Sequence, residues 1–378
     1  MISHIHPEHF FDGQTVRKNI CVSIEQGKII SVAKVADEKA EKIAGLMAPG
    51  FIDVQVNGGG GALFNSAPTV ETIKTIGSAH AKFGTTGFLP TLITDQVAVM
   101  EQAADAVAKA ITENTPGVLG VHFEGPHLSI PKKGVHSPEF IRKISAQEMA
   151  VFTRQDLGKV VVTLAPENVA IEDIKTLVAA GVRVCLGHSN ADFDTVCNAL
   201  SAGATGFTHL FNAMSAFQAR EPGMVGAALL DDNSWCGIII DGHHVHYDAA
   251  KLAIRAKANG KIMLVTDAMP PVGTTDESFP FFDSKVIRTG DRLNALTGEL
   301  AGSCLDMAGA VINTIKHLDI EPNEALRMAS LYPASFLQLD NELGRLQPGC
   351  SADFVMLDTN YNVTQTWIAG QQVSVTKV

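Results

Sequence analysis

Residues 183–213, RVCLGHSNADFDTVCNALSAGATGFTHLFNA, decide how this chain is read. A short apolar run ends in Gly187-His188, Ser189 and Asn190 are residue types that open helices, and a second short run ends in His209. The pattern predicts one strand, one helix and another strand. Parallel strands joined by a right-handed crossover bring both C-terminal ends to the same rim of the sheet. His188 and His209, 21 positions apart, are therefore expected to face one pocket. One histidine at a strand end is ordinarily a hydrogen-bonded core residue. Two at successive strand ends begin a metal site.

Working outward, eight strand-like runs alternate with helical spacing: Gly50 to Gln55, Thr86 to Thr91, Val118 to Phe123, Val160 to Leu164, Val182 to Leu186, Gly206 to His209, Trp235 to Ile240 and Ile262 to Val265. Helical periodicity is plain in Val70-Ile73-Ile76 and in Val97-Met100-Ala103-Ala104-Val107. This alternation predicts an α/β fold, a (β/α)8 TIM barrel over residues 49–339, in preference to an open doubly wound sheet. No GxGxxG opens a helix after a strand and no GxxxxGK[ST] occurs, so phosphate loops for nucleotides are not supported. The flanks, 1–48 and 340–378, carry only short β-patterned runs. Among them are Ile20 to Ile24 and Ile29 to Val35 about a turn at Gly27, then Ala352 to Leu357 and Val363 to Ile368. Neither flank can bury a core alone, so together they are expected to form one small β-sandwich domain. His4, His6 and His9 fall in its first strand and read as surface positions.

Composition narrows the function. The chain has 378 residues, is 46% hydrophobic and carries a net charge of −11, with Lys and Arg scattered and in no basic block. Nucleic acid and anionic membranes are thus not expected as partners, and an anionic substrate would need a local cationic pocket. Six cysteines form no CxxC pair, and no long apolar stretch or leader-like segment occurs, which points to a cytoplasmic protein in a reducing compartment.

In a (β/α)8 barrel the chemistry lies at the C-terminal strand ends. Read there, the chain offers Gln55 and Asn57, Glu124, His188, His209, Asp241 and His244, and Asp267. Glu124 with the two histidines makes a set of one carboxylate and two imidazoles, which suits Zn²⁺ or a similar divalent ion with a position left for water. Such an ion supplies hydroxide at neutral pH, and Asp267 is placed to move its proton. His122, on the same strand face as Glu124, reads as a barrel-interior residue and not as a ligand.

These motifs carry a resemblance over nearly the whole chain. In order they are Pro49-Gly50-Phe51-Ile52-Asp53-Val54-Gln55-Val56-Asn57-Gly58, His122-Phe123-Glu124-Gly125-Pro126, Lys132-Lys133-Gly134-Val135-His136, Gly187-His188-Ser189-Asn190, Thr208-His209-Leu210-Phe211-Asn212-Ala213-Met214, Arg220-Glu221-Pro222-Gly223, Asp241-Gly242-His243-His244-Val245 and Val265-Thr266-Asp267-Ala268. The sequence resembles the N-acetylglucosamine-6-phosphate deacetylase family of the amidohydrolase superfamily. That resemblance implies hydrolysis of the acetamide of N-acetylglucosamine 6-phosphate to glucosamine 6-phosphate and acetate, in amino-sugar catabolism. It implies metal ligation by Glu124, His188 and His209, Asp267 as general base and later acid, and His136 on the sugar and the acetamide carbonyl. It also implies phosphate contacts from His244, the backbone around Asn212 and Ala213, and an Arg220 that reaches over from the neighbouring subunit of a homodimer.

Many members of the superfamily have His-x-His after the first strand and bind two metals. Here Gln55-Val56-Asn57 stands instead, so one divalent ion per chain is expected, Zn²⁺ by its donor set. Cys304 falls in a loop resembling the family's substrate lid and reads as packing. Other readings are the galactosamine epimer as substrate, a dihydroorotase-like amide hydrolase, which would ordinarily carry the missing His-x-His, and a non-enzymatic scaffold, which would ordinarily have lost ligands.

Overall fold

In the computed structural model, which describes residues 2–34 and 40–373, the eight expected strands lie side by side in sequence order. They are Phe51–Val56, Thr85–Ile93, Gly120–Glu124, Lys159–Leu164, Arg183–Leu186, Gly206–Phe207, Trp235–Ile238 and Ile262–Leu264, here called barrel strands 1 to 8. Neighbours pair in parallel throughout. The seam between strands 8 and 1 is closed just beyond the ladder. A bridge joins Val56 to Ala268, Asp267 N–H donates to the Gln55 carbonyl at 3.0 Å, and Asn57 N–H donates to that of Ala268 at 2.9 Å. The fold is therefore a closed (β/α)8 barrel.

Strands buried on both faces explain the continuous apolar runs, as in Val160–Leu164. The helices turn one stripe inward: Val97–Thr112 buries Met100, Ala103, Ala104, Val107 and Ala110 at three- and four-residue spacing. Inside the barrel, Ile52, Val54, Leu89, Val161 and Cys185 pack with Phe336 and Leu337 at the end of the last helix, Leu331–Phe336. Polar groups are left to the opposite rim.

Two expectations need correcting. Strands 6 and 7 end two residues early, at Phe207 and Ile238, and strand 6 stops because the chain leaves extended backbone at His209. His188, His209 and Asp267 have φ of 48°, 32° and 53°, in the left-handed region. The helix after strand 5 does not open at Ser189 or Asn190; it spans Phe193–Ser201, and Asp192 accepts from Thr195 N–H as its cap. Ser189 and Asn190 are turned sideways instead, both bonded to the Glu167 carboxylate at 2.6 and 2.7 Å.

The flanks share a second sheet. Ser3–Phe11, Ile20–Glu25, Lys28–Lys34 and Glu41–Pro49 come from the N-terminal side, Phe354–Leu357, Val363–Ile368 and Gln371–Gln372 from the C-terminal side. Glu41–Pro49 joins the two ends, pairing in parallel with Ser3–Phe11 and antiparallel with Phe354–Leu357. The sheet rolls until its outer turns meet: Ala352 N–H donates to Gly27 O at 2.8 Å and Ile29 N–H to Cys350 O at 2.9 Å. Gly27, at φ 77°, fits where an added Cβ would lie 3.0 Å from the Ala369 carbonyl oxygen. Val35, expected at the end of a strand, lies outside the described residues.

One element is absent from the sequence reading. Ser278–Phe281, Ser284–Thr289 and Arg292–Ala295 form a three-stranded antiparallel flap between strand 8 and the helix Met307–Leu318. Its Phe279, Phe281, Val286 and Leu293 pack with Leu63, Ile93 and Met269 over the rim. Among the described residues, no helix is long and apolar enough to cross a membrane.

Candidate active site

Glu124 ends strand 3, and His188 and His209 stand two residues past the ends of strands 5 and 6. Glu124 Oε1 lies 3.1 Å from His188 Nε2 and 3.0 Å from His209 Nε2, and the two nitrogens are 3.0 Å apart. All three side chains are buried. His188 Nδ1 lies 2.9 Å from the Lys132 carbonyl, which can only accept, so Nδ1 carries the hydrogen and Nε2 turns its lone pair to the centre. Burial pushes Glu124 up, but the imidazoles of His188 and His209 against it reverse this and hold it well below the usual carboxylate range. His209, which burial pushes down, is raised on balance by Glu124. Two imidazole nitrogens and a carboxylate oxygen converging on one point fit a divalent cation, and their atoms all lie within 4.8 Å of one another.

A second carboxylate sits beside this centre. Asn57 Nδ2 donates to Asp267 Oδ1 at 2.6 Å, and Gln55 Nε2 donates to the same oxygen at 3.1 Å and to Glu124 Oε2 at 3.2 Å. The Gln55 amide thus bridges the two acids, a role that sequence reading missed. Burial first, then the Glu124 charge, pushes the Asp267 carboxyl up to about 6. Below it, Asp53 is fully buried and pushed up to about 7 by burial; it accepts Thr266 Oγ1–H at 2.5 Å and Gln55 N–H at 3.1 Å.

The surrounding pocket opens to solvent beneath the flap. Around it lie Asn57, Glu124, His136, His188, His209, Asn212, Ala213, His244 and Asp267, with Phe281 and Leu300 contributed from the flap side. His136 Nδ1 is 2.8 Å from Thr94 Oγ1, and its ring lies 4.4 Å from that of His188. Burial pushes His136 down to about 3, so it stays neutral. Also lining the pocket, His244 Nδ1 pairs with Asp241 Oδ2 at 2.7 Å, while the backbone N–H groups of His243 and His244 donate to Asp241 Oδ1. Burial pushes Asp241 up, but the hydrogen bond to His244 outweighs it and leaves the carboxyl below its ordinary value.

Arg220 is the exception among the expected site residues. It is exposed on the loop after strand 6 and does not line its own chain's pocket. His122 is occupied at both ring nitrogens, by Val54 O at 3.0 Å and Thr163 Oγ1 at 2.7 Å, inside the barrel. Cys304 packs against the flap core, and burial pushes its thiol up to about 11. Thr94, Thr266 and the flap residues were not singled out from the sequence. Thr94 directly follows strand 2, where strand-end reasoning could have found it.

A closed (β/α)8 barrel with a carboxylate, two imidazoles and a neighbouring acid on its C-terminal rim defines a class of metal-dependent hydrolases. Residues 46–373 match the amidohydrolase family, and the chain belongs to it. It is 51% identical to the N-acetylgalactosamine-6-phosphate deacetylase of Shewanella sp. (strain ANA-3), over 90% of this chain and 87% of that one. It is 37% identical to the N-acetylglucosamine-6-phosphate deacetylase of Haemophilus influenzae, over 86% of each chain. Its structure is similar to the crystal structure of N-acetylglucosamine-6-phosphate deacetylase from Pasteurella multocida, with a TM-score of 0.95 at 34% identity, covering 98% of this chain and 99% of that one.

Proposed function

We propose that this enzyme hydrolyses the acetamide of an N-acetylhexosamine 6-phosphate, N-acetylglucosamine 6-phosphate in the first reading, to the amino-sugar phosphate and acetate. The observation that carries the chemistry is the buried Glu124, His188 and His209 cluster beside Asp267. These three residues would hold one divalent ion, zinc by the donor set, which when bound supplies a Lewis acid and makes water a nucleophile near neutral pH. Among the described residues a second ion has no comparable place, because Gln55 and Asn57 are amides already donating to Asp267 and Glu124.

Asp267, its Oδ1 fixed by the two amides, takes the proton of the attacking water and returns it to the nitrogen that leaves. Neutral His136 meets the acetamide carbonyl; when Thr94 donates its hydroxyl proton to Nδ1, Nε2–H is free to stabilise the oxygen as negative charge develops. His244, held by Asp241, and the backbone around Asn212 and Ala213 receive the phosphate, and Arg220 completes its contacts from a second copy of the chain in a homodimer. A phosphorylated sugar does not cross membranes unaided, which supports a cytoplasmic role in amino-sugar catabolism.

The galactosamine epimer is a second reading, favoured by the relative at 51% identity that is named for it. The epimers differ at C4 only, so the chemistry above serves both. Acetate release from both N-acetylhexosamines, each with and without a 6-phosphate, decides the substrate. Turnover of either phosphorylated sugar at least about tenfold above its unphosphorylated form is expected. Release from none of the four would reject the proposal.

A further inference from the structure

The loop after strand 6 leaves the rim at Ala213 and rejoins it at Gly223, where the helix Gly223–Leu230 begins. Its base is fastened to the segment after His188. Ser189 N–H donates to Ala213 O and Ser215 N–H to Ser189 O, both at 3.0 Å. Ser215 Oγ donates to Ala191 O at 2.5 Å and accepts from Met224 N–H at 2.8 Å. Beyond this base the chain turns outward, with Phe217 65% exposed and residues 216–221 all on the surface. Gln218 N–H closes that turn on the Glu221 carbonyl at 3.0 Å, with Arg220 inside it.

The Glu221 side chain returns to the body of the protein. Its Oε1 accepts Phe193 N–H at 2.9 Å and Gly223 N–H at 3.0 Å. Phe193 and Gly223 are the first residues of two different helices, whose leading N–H groups have no partner within the helix and carry partial positive charge. One carboxylate oxygen therefore ties two helix starts together, in the residue next to Arg220. A long exposed side chain grips a phosphate well only if its backbone is held still, because otherwise binding must also order the loop.

We propose that Glu221 is a positioning residue for phosphate recognition: it clamps the Arg220 turn to the helices Phe193–Ser201 and Gly223–Leu230, so that Arg220 is presented in order to the phosphate pocket of a second copy of the chain. This rests on the reading of Arg220 given above. Glu221 touches no substrate; it acts through Arg220. A purely structural cap would lower stability without changing which sugar the enzyme prefers.

The test measures kcat and KM of metal-loaded Arg220→Ala, Glu221→Ala, Glu221→Gln and the double alanine variant. The substrates are N-acetylglucosamine 6-phosphate and N-acetylglucosamine, or the galactosamine pair if that is preferred. Glu221→Ala should lower the phosphorylated-to-unphosphorylated ratio of kcat/KM by about fivefold or more, mostly through KM for the phosphorylated sugar. Glu221→Gln should restore the ratio to within about twofold, since both hydrogen bonds fall on one oxygen that the amide retains. The double variant should be no less selective than Arg220→Ala, within about twofold, because both changes remove the same contact. An unchanged ratio in Glu221→Ala, or losses that multiply in the double variant, would overturn the proposal while Arg220→Ala still loses selectivity. If Arg220→Ala itself keeps the ratio, the reading of Arg220 is wrong and Glu221 falls with it.

Discussion

At one part of the pocket the Glu124, His188 and His209 side chains are all buried, whereas at the proposed phosphate site one of the expected contacts is an exposed arginine on a loop. Glu124, His188 and His209 are 2%, 6% and 4% exposed, and each is set by the end of a barrel strand. Arg220 stands on a turn held at its base by Ser215 and Glu221. The two differ because they do different work. A reaction centre gains from dry, preorganised charge, and a barrel rim provides that wherever the chain leaves a strand. Recognition of a dianion needs only reach and positive charge, which a loop supplies and which can be altered without disturbing the centre.

If that contrast is right, damage at the buried cluster should be all-or-none. His188→Ala and His209→Ala should each lose the metal and the activity together, since three protein ligands leave none to spare. Elemental analysis of the purified wild type should find about one tightly held ion per chain, and two stoichiometric ions, both needed for turnover, would contradict the amide network at Gln55 and Asn57. Asp267→Asn is the finer cut. It should keep metal and substrate binding while kcat falls about 10²–10⁴-fold, the range for losing general acid–base catalysis. A variant that bound both and kept more than about a tenth of wild-type kcat would move the proton shuttle elsewhere, His136 and His244 being the first places to look.

A smaller effect is expected beneath the centre, where Asp53 is read through stability. Its carboxyl rises from 3.8 to about 7 because burial disfavours the charge. The folded protein thus binds this proton more tightly than the unfolded chain does. Asp53 costs nothing below about pH 4, costs more as pH rises toward 7, and levels off above that. The full span is of order 4 kcal/mol, from about three units at 1.36 kcal/mol each. Asp53→Asn removes the charge and keeps an acceptor for Gln55 N–H. Its stability relative to wild type should therefore improve by about 2–3 kcal/mol between pH 5 and pH 8, by denaturant melts at both values. A difference that does not change with pH would mean that Asp53 ionises freely.

The same contrast governs what could be read from the sequence. All eight barrel strands were legible, because strands buried on both faces are continuous apolar runs, and the candidate ligands could be picked out because polar residues at strand ends stand out against them. The flap was not. Its strands carry alternating residues such as Ser278, Phe279, Pro280 and Phe281, too short to separate from a loop until Leu63, Ile93 and Met269 are seen beneath them. Gln55 as a bridge between Glu124 and Asp267 was hidden too, since it joins residues 69 and 212 positions away. The helix start was misplaced because Ser189 and Asn190 are cap-forming residues committed instead to Glu167, a partner 22 and 23 positions earlier.

The gentlest test acts on the proposed phosphate site and asks which chain completes it. Arg220→Ala removes charge-assisted hydrogen bonds worth about 1.5–3 kcal/mol each, so selectivity for the phosphorylated sugar should fall at least about tenfold. If Arg220 serves the neighbouring subunit, an Arg220→Ala chain has a sound reaction centre that lacks only its partner's arginine. An Asp267→Asn chain has a dead centre but a sound arginine to lend. After subunit exchange at equal amounts, about half the dimers are mixed and each holds one complete site, so about a quarter of all sites should work. Without lending across the interface, the mixture keeps only the residual activity of its Arg220→Ala half, about a twentieth of wild type if that variant retains a tenth. Assayed below KM, a quarter and a twentieth are easily told apart. A value near a twentieth, with exchange demonstrated on differently tagged chains, would show that the arginine does not serve the second subunit. The phosphate would then have to be met by residues of one chain.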